Sequence, residues 1–188
     1  MSYTYKIPFG SQVYGLINKE SDKDYIYIKP DNSSFESTSK DDEVFTTTEF
    51  QKLLDLHDVK ALETYFYSEE VQTDFDFKLN VNTLRSAVSK VVSNAHVKAK
   101  KKIKDEEIYI GLKSYYHCIR LLTMFTYLAR HRTFDPSRFK YELDYVYQDI
   151  VIQRQNQPNS ETLFQDLEAD YKKLLKSLQH TFRMYCPK

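Results

Sequence analysis

Glycine is nearly absent from this chain, and the few it has are therefore informative. Of three glycines in 188 residues, Gly10 and Gly15 both fall in the stretch Pro8 to Pro30, PFGSQVYGLINKESDKDYIYIKP. A tight backbone turn is where glycine is needed, because it adopts left-handed dihedrals without a Cβ penalty. Beyond Ser11 comes Asp22-Lys23-Asp24, followed at once by Tyr25-Ile26-Tyr27-Ile28, a run of β-formers that reads as a strand. Side chains alternate along a strand, so Asp22 and Asp24 project from one face. Two neighbouring carboxylates without a basic partner repel each other, and a divalent cation is the usual remedy. The Gly10-Ser11 turn ahead of them offers backbone N–H groups and a hydroxyl to phosphate oxygens. The bland reading is a hairpin with a Gly-Ser loop and solvated acids.

A chain of this length carries one good core, or a small domain with a helical appendage. Hydrophobic residues at 41%, charged residues at 29% and a formal net charge of zero exclude a disordered or broadly basic protein. Any nucleic-acid contact has to come from a local patch. Cys118 and Cys186 lie far apart in a chain with no signal peptide, which argues against a disulfide framework and for a cytoplasmic protein. No apolar run approaches the ~18 residues of a membrane span. The five histidines form no ligand-spaced cluster with cysteine.

Along the chain, Tyr3 to Phe9 reads as a first strand, Asp24 to Lys29 as a second, and Asp31 to Lys40 as a polar surface loop. Asp41-Asp42-Glu43-Val44-Phe45 reads as a third strand bringing more acid to the same neighbourhood. Thr46-Thr47-Thr48-Glu49 has capping-box spacing, so a helix starts near Thr46, with Phe50, Leu53 and Leu54 as its apolar face. A second short helix follows Asp58. From Asn82 onward the pattern is helical: Leu84, Val88, Val91 and Ala95 stripe one helix, a long helix runs from Asp105 to about Arg130, Phe139, Leu143, Val146 and Ile150 stripe a third, and Leu163, Leu167, Tyr171, Leu174, Leu178 and Phe182 the last. The tyrosine-rich segments at 65–67, 115–116 and 141–147 read as core.

Gly-Ser followed by Asp-x-Asp on a strand resembles the signature of the polymerase-β-like nucleotidyltransferase superfamily. GSQVYGL and SDKDYIYI are similar to its bacterial and phage branch, which carries Gly-Ser-x-x-Tyr-Gly-Leu and Ser-Asp-x-Asp. FQKLLDLHDVKALETYF resembles the same branch, with Glu63 in its Leu-Glu pair, and departs from it at Asp58-Val59, where Asn-Pro is usual. The resemblance implies an α+β fold: a small mixed β-sheet nucleotidyltransferase core over residues 1–80, and a C-terminal α-helical bundle over 81–188 that packs on the core and completes the nucleotide site. It implies transfer of a nucleoside monophosphate from a triphosphate such as ATP to a hydroxyl acceptor, with Mg2+ or Mn2+ and with release of pyrophosphate. Gly10 and Ser11 would hold the β- and γ-phosphates, and Asp22 and Asp24 the metal. A third carboxylate on the next strand, Asp41 or Asp42, would bind metal and take the acceptor proton, with Glu43 and Asp76 open as alternatives. The acceptor, whether RNA or tRNA, a protein or a small molecule, is not distinguished. A catalytically inactive nucleotide-binding or protein-interaction module of the same fold is the alternative.

Lys113, His117 and Arg120 in GLKSYYHCIRLL sit four and three residues apart, within about 60° on one helix face. The branch has a similar Lys-x-x-x-His-x-x-Arg-Leu-Leu helix, which implies that Lys113 and Arg120 grip phosphate and His117 donates to it or stacks on the base. Otherwise these are solvated charges of an amphipathic helix. Lys98, Lys100, Lys101, Lys102 and Lys104 form a basic run that would steer polyphosphate or RNA, or else simply solvates a helix end. Arg85 is a weaker phosphate candidate.

Overall fold

In a computed structural model, the protein is α+β, and its residues are described over 4–10, 13, 23–37, 39–134, 136–156 and 160–188. It divides into two compact units, Met1–Lys78 and Leu79–Lys188.

The first unit holds a three-stranded mixed sheet of β1 (Tyr5–Phe9), β2 (Asp24–Lys29) and β3 (Glu43–Thr46), with β2 in the centre. β1 runs antiparallel to β2, with Tyr5 opposite Ile28 and Phe9 opposite Asp24. β3 runs parallel to β2, from Ile26 beside Glu43 to Lys29 beside Thr46. Parallel neighbours need a crossover of about a dozen residues, and the polar stretch 30–42 supplies one with no helix among its described residues. Ile26 and Ile28 are 1% and 0% exposed, and Tyr27 on the other face is buried as well, which fits a central strand covered on both sides.

Thr46 caps α1 (Thr47–Asp55) with a reciprocal box: its hydroxyl accepts from the Glu49 N–H at 3.2 Å and the Glu49 carboxylate accepts from the Thr46 N–H at 2.8 Å. Asp31 reinforces that end, accepting first from the Thr48 hydroxyl, and from the Thr48 N–H and the Thr47 hydroxyl at 3.0 Å each. These bonds stabilise the charged form and bring its carboxyl down to about 2. α2 (Val59–Tyr67), capped by Asp58, and α3 (Glu69–Asp74), capped by Ser68, follow. Phe50, Leu54, Leu62 and Val71 are fully buried, each worth about 1.5–3 kcal/mol in transfer terms.

The second unit is helical: α4 (Val81–Lys104), α5 (Ile108–His131), a 3-10 turn (Pro136–Phe139), α6 (Lys140–Tyr147) running into a π turn (Gln148–Ile152), and α7 (Ser160–Tyr185). α4 and α5 form a hairpin closed so tightly that a Cβ at Gly111 would stand 2.5 Å from Ile103 Cγ1 and 3.0 Å from the Ala99 carbonyl oxygen. Arg85 donates to the Cys186 carbonyl at 2.9 Å, so α4 holds the C-terminal end of α7 and this arginine is structural.

Scarcity of glycine shows at the helix ends. His57, Glu106 and Arg132 follow α1, α4 and α5 with φ of 56°, 62° and 59°, where glycine is the usual residue. Each gives up about 1 kcal/mol or more to do so. Among the described residues no helix is long and apolar enough to cross a membrane.

The packed faces differ in detail from the sequence periodicity. α4 buries Val92 where Val91 is expected, and α7 buries Leu175 while Leu174 is 39% exposed. Tyr115, Tyr116 and Tyr147 are core, but Tyr141 and Tyr145 are exposed, because Leu143 and Tyr147 occupy the packed side of α6. β3 begins at Glu43, two residues after the expected start.

Candidate functional site

Gly10 takes φ +68°, in the left-handed region, and its carbonyl accepts from the Val13 N–H at 3.2 Å, closing a tight turn directly after β1. Gly10 lies against Asp24. A Cβ on residue 10 would come within 2.9 Å of Asp24 Oδ2, closer than a carbon and an oxygen tolerate. Glycine is therefore favoured by its dihedral, and any larger residue would also have to push the Asp24 carboxylate aside. The antiparallel register explains the meeting, since Asp24 opens β2 opposite Phe9, the last residue of β1. Ser11 and Asp22, the other halves of the two expected pairs, lie outside the described residues.

The acids before β3 are sorted by what they touch. Asp42 is committed to structure: its Oδ1 accepts from the Tyr25 N–H at 3.0 Å, and its Oδ2 accepts from the Ser37 hydroxyl. Glu43 is paired with Lys60 on α2 in an exposed ion pair, the kind worth about 0–1 kcal/mol. Asp41 is exposed, and among the described residues its carboxylate has no hydrogen-bond or ion-pair partner. Pairing of β2 with β3 stops at Ile26 and Glu43, two residues short of Asp24 and Asp41 on their respective strands. Asp76 is exposed in an extended segment outside the sheet, its N–H and carbonyl both bonded to the Gln51 side chain at 3.2 and 2.8 Å. Glu63 on α2 is 4% exposed. Ser37 and Lys60 gave no sequence signal of the parts they play, because each acts on an acid distant in the chain.

As a magnesium site, this neighbourhood offers the right chemistry in part. Its donors are carboxylate oxygens, which suit a hard cation, and the missing Cβ at Gly10 leaves room beside Asp24 Oδ2. Among the described residues no group of three His, Cys, Asp or Glu side chains converges; Asp22 is outside that set.

In the second unit, Lys113, His117 and Arg120 lie together on α5. Arg120 is 3% exposed, with Nη2 donating to His117 Nδ1 at 2.8 Å. Burial, then the positive charges of Arg120, Lys98 and Lys113, holds the imidazole well below its ordinary pKa, so it is neutral and accepts from the guanidinium. The Lys113 ammonium stands 5.3 Å from the centre of the Tyr109 ring. Three cations around one neutral histidine form a positive focus inside this unit, with Arg120 a buried member of it and not a solvated charge.

Comparison of the chain with known protein families, with curated proteins and with solved structures finds no match in any of the three.

Proposed function

We propose that the protein is a nucleotidyltransferase that moves a nucleoside monophosphate from a nucleoside triphosphate to a hydroxyl acceptor. The observation that carries the reading is the fit of Asp24 to the Gly10 turn: a left-handed glycine bend, built at the cost of a residue type this chain hardly uses, sits against the second acid of an Asp-x-Asp. Asp24 and Asp41, with Asp22, would hold the metal. Bound magnesium would offset charge on the phosphoryl oxygens and acidify the attacking hydroxyl.

The turn's backbone N–H groups would orient the triphosphate. The acceptor oxygen would attack the α-phosphorus, the bond from that phosphorus to the β-bridging oxygen would break, and pyrophosphate would leave with the electron pair. Asp41, exposed and uncommitted among the described residues, is assigned as the group that takes the hydroxyl proton. Asp42 is not, because both its oxygens are already engaged.

The test is incubation with magnesium, each α-labelled triphosphate and total cellular RNA or protein. Label should pass to an acceptor and vanish with Asp24→Asn; transfer that survives the change rejects the reading. A second reading, nucleotide binding without turnover, draws on the pairing of Glu43 with Lys60 and the occupied Asp42. Triphosphate binding with no transfer would favour it.

A further inference from the structure

We infer that the helical unit binds single-stranded RNA in a cleft between α4 and α7. The cleft has a volume of about 810 Å³, and its walls carry Lys100 and Lys104 from α4 and Lys172 from α7, all exposed, above a floor that includes Ile103 and Phe164. A neighbouring cleft of about 340 Å³ shares Glu168 and Lys172 with it and adds Lys176 and His96. Lysines four apart on a helix are about 6 Å apart along its axis, so Lys100 with Lys104 and Lys172 with Lys176 form two short ladders of positive charge. The chain has no net charge, whereas the two clefts together set four lysines against two acids, Glu106 and Glu168.

Glu168 stands where the two clefts meet. Its Oε1 accepts from the buried Tyr115 hydroxyl at 3.1 Å and lies 2.9 Å from His96 Nε2. Both contacts fall on one oxygen, which leaves Oε2 to accept from a ligand. His96, on the wall of the smaller cleft, and Phe164, in the larger, meet edge to face at 5.6 Å. The occupant these features fit has anions at regular intervals, a hydroxyl donor near one of them and a flat face to lay on a ring. An RNA strand has all three: lysines meet the phosphates, Glu168 accepts from a 2′-hydroxyl, and a base lies over Phe164. A polypeptide of aspartate and glutamate alone supplies the charge without the ring or the hydroxyl.

The inference concerns binding alone and stands apart from nucleotidyl transfer. It is tested without magnesium or triphosphate, by fluorescence anisotropy of a labelled uridine dodecamer. The intact chain should bind it, with affinity falling steeply between about 50 and 200 mM salt. The triple variant K100A/K104A/K172A should raise Kd about tenfold or more and reduce the log–log salt slope by about 2. Glu168→Gln should narrow the preference for the uridine over the deoxyuridine dodecamer, and far-UV circular dichroism should show the helices of both variants intact. Absence of binding by the intact chain, an unchanged Kd in the triple variant, or displacement of the dodecamer by polyglutamate as readily as by unlabelled RNA would overturn it.

Discussion

Asp24 and Gly10 are packed so closely that a Cβ on residue 10 would lie 2.9 Å from Asp24 Oδ2 and displace that carboxylate, on a backbone held at φ +68°. Gly10→Ala therefore faces both a strained dihedral, costing about 1–2 kcal/mol, and a collision that moves the carboxylate. Urea denaturation should show that loss of stability, and the transfer assay should show activity falling further than stability alone explains. An alanine variant of full activity would detach the turn from the chemistry.

His117 makes stability depend on pH. Its folded pKa lies well below the ordinary 6.5, so above that value the imidazole is neutral in both states and nothing is lost. As pH falls below about 6.5 the unfolded chain takes up a proton that the folded one refuses, and stability declines by up to about 1.4 kcal/mol per pH unit. His57, lowered mainly by burial, acts in the same direction. Denaturation at pH 7 and pH 5.5 should show the decline, and His117→Gln should flatten it; an equal decline in the variant would assign the effect elsewhere.

Thr46→Ala removes a hydroxyl that caps α1 and leaves the Glu49 N–H without it. The cost should be about 1 kcal/mol, read as a lowered urea midpoint at unchanged m-value. Glu49→Ala on top of it should add less than it does alone, since the two side chains close one box. Strict additivity would show that the box does not act as a unit.

Cys118 and Cys186 are both fully buried, and burial pushes their thiols up to about 12 and about 11. A buried thiol with so little thiolate is a poor nucleophile. A thiol-specific disulfide reagent at pH 8 should label neither in the folded protein and both in denaturant, at a rate set by unfolding.

What was legible in the sequence was local. The capping box of α1 needs only four adjacent residues, and the strand β2 announces itself through Tyr-Ile-Tyr-Ile. The bend at Gly10 was legible for the same reason, in a chain where glycine is rare. Periodicity could not choose between Val91 and Val92, or between Leu174 and Leu175, because adjacent apolar residues serve a helical stripe equally well until a neighbour packs against one of them. Nor could it foresee that Asp42 turns back to the Tyr25 N–H, the contact that takes the place of strand pairing and delays β3 to Glu43. Of the expected metal set, Asp24 is placed against Gly10, and Asp41 is left uncommitted among the described residues. Asp42 and Glu43 are drawn off by Ser37 and Lys60, partners that no spacing rule connects to them.

The narrow waist of the α4–α5 hairpin bears on the order of folding. Only Asp105 to Glu107 separate the two helices, so bringing them together sacrifices little chain entropy, whereas β2 and β3 must await closure of the stretch 30–42. With Gly111 letting the backbones meet near the turn, the hairpin can zip from its closed end outward. A side chain placed there would slow the forward reaction, making one small residue a control point for how fast the helical unit assembles.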